Sequence, residues 1–261
     1  MLSNKFKVNY SVGAVANGVK TDTFTFFLLF FYSNIIGLNP GLAGLAIFIA
    51  LCIDAITDPL MGTISDRTNS SFGRRHPYMF ISFIPMSLGY ILLFAPRQEW
   101  DMSQTDLFIW MTIFTVITRI GMTLFDIPHR AFGGEVTKDY KERTILMSWR
   151  EMFAWVAGLS NAFLGYGVFF ASTPEFPQGQ LNPDVWFPFA LTGAAIMVFS
   201  VLYSSLSTKD EINSLSKWSG AISLKDIFNE LKIAIGNKSF LIFFFGNLFL
   251  SLAWGLSNSL T

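Results

Sequence analysis

Apolar residues run through this chain in long blocks, each closed by a short polar stretch that carries charge. Measured against the span of about 20 residues that crosses a bilayer, the blocks fall at residues 10–37, 41–65, 77–96, 106–132, 144–172 and 185–206, and a seventh begins near 239. They predict an all-α membrane protein with a six-helix N-terminal domain over 1–206. Residues 207–238 alternate charged and apolar positions, among them Trp218, Ile222, Leu224 and Phe228, which predicts an amphipathic linker along the inner membrane face. The last block, 239–261, stops without a polar flank, so the sequence reads as the first half of a longer protein plus part of a seventh helix. Asn39-Pro40-Gly41 marks a short turn before the second helix. The run S-T-P-E-F-P-Q-G-Q-L-N-P between the fifth and sixth predicts a loop without regular structure.

Composition sharpens this. Charged residues make up 14% of the chain, where a soluble domain carries roughly a quarter, so a soluble globular enzyme is excluded. The 18 basic and 18 acidic side chains cancel, which leaves no basic surface for a nucleic acid. Cys52 is the lone cysteine, lies inside an apolar block and reads as a structural thiol. The first block is too long for a cleaved secretory signal and reads as a membrane helix. Lys5 and Lys7, then Arg67, Arg74 and Arg75, then Lys138, Lys141 and Arg143, and finally the lysines from Lys209 onward occupy every second connection. The alternate connections hold only Arg97. The positive-inside rule therefore predicts a multi-pass inner-membrane protein with its N-terminus in the cytoplasm.

Ionisable groups inside the apolar blocks mark the candidate chemistry, because a charge at membrane depth is costly. Asp54 and Asp58 lie four residues apart on one helix face. Two carboxylates that close in a dry site need a compensating cation, so the pair is expected to hold a proton or a metal ion such as sodium. Pro59 removes a backbone donor and should loosen the helix beside them. Thr123, in the fourth helix, offers the pair a hydroxyl oxygen. Counted inward from the helix ends at about 1.5 Å per residue, Asp58, Asp126 and Arg150 reach similar heights, so one cavity between the second, fourth and fifth helices could hold all three. Asp126 with Arg150 would cancel charge and could also hydrogen-bond a polyhydroxylated ligand. Blander readings stand beside these: a polar packing cluster for the two aspartates, and a structural ion pair for Asp126 and Arg150.

Asp22 lies one turn beyond Gly18 on the same face and is a further candidate, while Lys20 points elsewhere and can snorkel. Arg119 has no obvious partner. His76 and His129 lie at helix ends without metal-ligand spacing and read as boundary residues. Asp66, Arg67, Arg74 and Arg75 at the exit of the second helix read as a cytoplasmic charge latch or gate loop. No Ser-His-Asp set, P-loop or cofactor cradle appears in the sequence, so neither an enzyme nor a resident cofactor is expected.

Four stretches together carry a resemblance: D-A-I-T-D-P-L-M-G at 54–62, F-G-R-R-H-P-Y at 72–78, G-M-T-L-F-D-I-P at 121–128 and W-R-E-M-F-A-W-V-A-G at 149–158. Here the sequence resembles the glycoside-pentoside-hexuronide:cation symporters of the major facilitator superfamily. The resemblance implies a twelve-helix fold, of which this chain is the N-terminal six-helix bundle with part of a seventh helix and the C-terminal half missing. It implies that Asp54, Asp58 and Thr123 bind the coupling cation, sodium or proton, and that Asp126 and Arg150 face the sugar. Two positions depart from the pattern. The first-helix aspartate that binds sugar in that family aligns with Gly18, with Asp22 a turn later, and the aromatic that stacks on the sugar aligns with Arg130. Asp22 and Arg130 are therefore taken with Asp126 and Arg150 as the substrate side, and an anionic hexuronide becomes a candidate substrate.

The expected activity is symport of a sugar, glycoside or hexuronide by alternating access, with the lipid bilayer and the missing half as partners. The rivals are a sodium-dependent lipid transporter of the same fold, a membrane-embedded transferase, and a non-transporting membrane protein.

Overall fold

The first six expected spans are helical in the computed structural model, which describes residues 2–210 and, beyond them, 236–239, 241–242, 245–246 and 249–250. Five helices are long and apolar enough to cross a membrane: α2 (Pro40–Arg67), α3 (His76–Leu93), α4 (Gln104–Glu135), α5 (Tyr140–Phe169) and α6 (Pro183–Ser207). The first, α1 (residues 4–36), is helical in pieces, because a turn at Gly13 and two π-helical stretches, Thr23–Phe27 and Phe31–Ile36, interrupt its α-helical register. None of the three interruptions brings a positive φ, so the backbone stays right-handed through them.

The helix boundaries follow from local chemistry. The Ser3 hydroxyl accepts from the N–H of Phe6 and starts α1, and Gly37 ends it with φ at 83°, a conformation glycine adopts without strain. The Asn39 side chain accepts from Gly41 and Pro40 occupies the first turn of α2. Ser103 and Asp106 form a reciprocal capping box at α4, and Asp139 caps α5. α2 runs through Pro59 without interruption, so the expected loosening amounts at most to the helical donor that Ala55 loses. The loop expected to be irregular contains two single 3-10 turns, Gly179–Leu181 and Pro183–Val185. Cys52 is a free thiol exposed on α2.

Packing proceeds in the order α2, α4, α3, α6, α1, α5. The two end helices leave apolar faces open, with Phe48, Leu51 and Ile56 on α2 and Trp155, Leu159 and Phe163 on α5. Trp186 of α6 anchors one end of the bundle, buried among Phe31, Phe94 and Phe170 at ring separations of 4.6–6.3 Å. Small residues set the closest crossings, as expected where van der Waals packing rather than water exclusion holds helices together. A methyl group on Gly18 would overlap the Ala154 carbonyl of α5, and one on Gly121 of α4 would overlap the Met86 backbone of α3.

The chain divides into two compact units, Met1–Ser219 and Gly220–Thr261. In the second unit, described residues including Gly236, Lys238, Ser239 and Leu241 are helical. Most of the expected linker at 207–238, and much of the seventh span from 239, lie outside the described residues.

Gly18→Val and Gly121→Val should each cost about 1–3 kcal/mol by overpacking. A fall in melting temperature in detergent for both, against no change for the open position Gly44→Val, is the expected result.

Candidate functional site

The two α2 carboxylates face α4, and both are engaged by it. Asp54 forms an ion pair with Arg119, and Thr123 donates its hydroxyl to Asp58 Oδ1 at 2.6 Å. Arg119 and Thr123 are four residues apart, as are Asp54 and Asp58, so the helices run in the same direction with a constant offset of 65. The next rung keeps that offset, with Gly62 beside Ile127. Arg119 is thus the partner the sequence left unassigned, and it supplies from within the protein part of the positive charge that the aspartate pair requires. One buried oxygen, Asp54 Oδ1, has no partner among the described residues.

These groups line a cavity of about 80 Å³ between α1, α2 and α4, with Lys20, Asn17, Thr123 and Asp126 completing its wall. Ligand pockets run at roughly 300–1,000 Å³, so this one has room for an ion and water rather than a sugar. Asp126 stands at its edge and also belongs to a second network. Arg150, fully buried on α5, pairs with Asp126, and Arg130 Nε donates to the other oxygen of Asp126 at 2.7 Å. Glu151 closes the ring, 2.6 Å from Arg150 and 3.7 Å from Arg130. Two acids and two bases balance one another. The structure therefore brings Asp58 and Asp126 to one cavity, as the helix count suggested, while Arg150 reaches it through Asp126.

The first helix divides its polar residues between two faces. Gly18 is locked against α5, and Asp22 one turn on lies buried on that side, accepting from the Asn161 side chain at 2.7 Å. Asn161 also reaches Thr23, whose hydroxyl meets that of Tyr90 at 2.7 Å. Asp22 accordingly does not line the Asp54–Asp58 cavity. Lys20, about 200° around the helix from Gly18, does. The side chain taken for a snorkelling bystander faces the carboxylates.

At the far end of α2, Arg75 sits 2.5 Å from Asp66 and 2.9 Å from Glu135, and Arg74 pairs with Glu135. Asp66, Arg74 and Arg75 thus form one cluster, which Arg67 adjoins at the end of α2. Its acid from α4, Glu135, was not picked out in the sequence. Gly73, at φ 76°, lets the loop turn into it. His129 is no boundary residue. It is fully buried, stacked on Tyr10 at 4.2 Å and Phe125 at 4.8 Å, and its Nε2 donates to the Tyr10 carbonyl. His76 is buried too, with Nε2 3.2 Å from the Thr208 hydroxyl. Both histidines tie helices together.

A sequence model of the family described as "MFS/sugar transport protein" matches residues 9–261. The chain belongs to this family. Members of the MFS/sugar transport family are multi-pass membrane transporters, not enzymes. The chain is 31% identical to the inner membrane symporter YicJ of Escherichia coli K12 over 164 residues, 63% of this chain and 35% of that protein. It is 29% identical over 241 residues to the putative glycoside/cation symporter YagG of the same organism, covering 92% of this chain and 50% of YagG. A third relative, the sodium-dependent lysophosphatidylcholine symporter 1-A of Danio rerio, is 29% identical over 174 residues, 64% of this chain and 31% of that protein. The matches thus span between about a third and a half of these relatives.

Breaking the Asp54–Arg119 rung from one side strands a charge at membrane depth. Arg119→Gln should cost about 2–3 kcal/mol, discounted from the fully buried case by the partial exposure of both groups. Adding Asp54→Asn should restore most of the loss, and a double-mutant cycle on unfolding in detergent should return a coupling energy above about 1 kcal/mol.

Proposed function

We propose that this chain supplies the cation-binding part of a secondary active symporter. Asp58, Thr123 and the free oxygen of Asp54 hold the coupling ion, sodium or proton, and Asp126, Arg150 and Arg130 face a sugar or glycoside. The observation that carries this reading is the pair of rungs between α2 and α4, which sets a carboxylate, a hydroxyl and an unpartnered carboxylate oxygen around one small cavity in apolar helices. Oxygen-only donors of this kind suit a hard cation. The small volume suits an ion more than a sugar, so the sugar subsite lies beside it, against the Asp126–Arg150–Arg130 network. Arg130 is half exposed between Asp126 and Glu151, and its exposed guanidinium could donate to the carboxylate of a hexuronide, which favours that substrate over a neutral glycoside.

Transport then proceeds by alternating access, with the site near the membrane midplane and the open faces of α2 and α5 turned toward the segment that completes the cavity. The N-terminus is cytoplasmic on this reading, which places the Asp66–Arg75–Glu135 cluster on the same side. A second reading, sodium-dependent transport of a lysophospholipid, draws on the likeness to the Danio rerio symporter and places the headgroup where the uronide would sit.

Uptake of a radiolabelled uronide, a neutral glycoside and a lysophospholipid into vesicles carrying the full gene product separates these readings. Accumulation driven by a sodium or proton gradient is expected for the uronide, with at least a tenfold loss in Asp58→Asn while exchange of substrate persists. Equal accumulation in Asp58→Asn would show the carboxylates to be structural. Preference for the lysophospholipid would replace the sugar reading.

A further inference from the structure

The cavity is lined by formally matched acids and bases before any ion arrives. Taken as ionised, Asp54 and Asp58 contribute two negative charges and Arg119 and Lys20 two positive ones, and all four side chains line the same space. Arg119 is bound to Asp54. Lys20 is held differently. Its ammonium rests over the ring of Phe24, 5.9 Å from the centroid, and no carboxylate among the described residues lies within ion-pair distance of it. The Arg119 guanidinium lies over that same ring at 5.6 Å. Asn17, Lys20 and Phe24, spaced three and four apart, form one stripe of α1 facing the carboxylates. The remaining acid at the cavity, Asp126, is already held by Arg130 and Arg150.

From this arrangement we infer that Lys20 is a resident counter-cation of the Asp54–Asp58 cavity, competing with the coupling ion for the carboxylates. The inference rests on the reading of Asp58 and Thr123 as the cation site. With Lys20 in place, a sodium ion entering beside Asp58 makes the site net positive, and repulsion holds its affinity down. Anything that draws the ammonium away from the cavity removes that repulsion and raises the affinity for the ion. A substrate oxygen that accepts from Lys20 Nζ does this, and linkage then requires the ion to tighten substrate binding by the same factor. Lys20 is in this sense a positioning residue that sets cation affinity and carries coupling, with Phe24 as its resting place. A cation on an aromatic face is held weakly enough to move.

The test is sodium binding to the purified full gene product in detergent, followed by titration calorimetry at constant pH, with choline chloride holding ionic strength. Lys20→Met should bind sodium roughly tenfold to a hundredfold more tightly than the unsubstituted protein, the size expected for removing one like charge a few ångströms away at intermediate dielectric. Lys20→Gln, which keeps a polar group should Met disturb folding, should show the same gain. Lys20→Arg, which keeps the charge, should not. Unchanged affinity in the folded Lys20→Met and Lys20→Gln proteins, with sodium binding abolished in Asp58→Asn, would overturn this inference and leave the cation site standing. Sodium binding that survives in Asp58→Asn would remove the cation site itself, and the inference with it.

Discussion

A carboxylate inside a bilayer has to be neutralised by something within reach, and in this protein α4 does that for α2. The common offset of 65 residues lets Arg119 and Thr123 meet Asp54 and Asp58 at the same spacing on parallel helices. If either helix turned or slid by one residue, both rungs would open together, stranding two carboxylates and a guanidinium in a medium that cannot solvate them. The charged ladder therefore fixes the register of α2 against α4, and the shape of the cavity follows from it.

The other helices are arranged around that constraint. Gly18 lets α1 press against Ala154 of α5, and this contact sets how α1 is turned. Asp22 goes to Asn161 and Lys20 to the cavity as a result. α5 returns the favour with Arg150, whose buried guanidinium ties Asp126 and Glu151 into the second network. The cavity and that network share Asp126, so a ligand that alters one alters the field in the other. Two helices, α2 and α5, supply acidic and basic groups to the site and also carry the open apolar faces of the bundle. Movement of either face against a neighbouring segment would reach the site without passing through the packed aromatic end around Trp186.

The first six spans were legible because a bilayer imposes its thickness on sequence, and each of their boundaries fell within six residues of the observed helix. The charged residues were legible for the same reason: charge in an apolar block is conspicuous. Which charges meet was harder. The Asp126–Arg150 pair could be anticipated from depth alone, whereas Arg119 was left without a partner because depth says nothing of the lateral register between helices. The repeated spacing of four in both 54–58 and 119–123 was the available clue. Lys20 and Asp22 differ by two positions, and only the seam at Gly18 decides which of them sees the cavity. Glu135 was not picked out, and His129 was read as a boundary residue, because positions toward a helix end look solvated in sequence, whereas here Glu135 is paired and His129 is buried.

The proposed cation site puts the coupling ion on the α2 carboxylates. Infrared difference spectroscopy on the full gene product, recorded on addition of sodium or on acidification, reads those groups directly. Ion-induced bands in the carboxylate region that vanish in Asp58→Asn and persist in Asp22→Asn are the predicted result. Bands unchanged in Asp58→Asn would place the ion elsewhere.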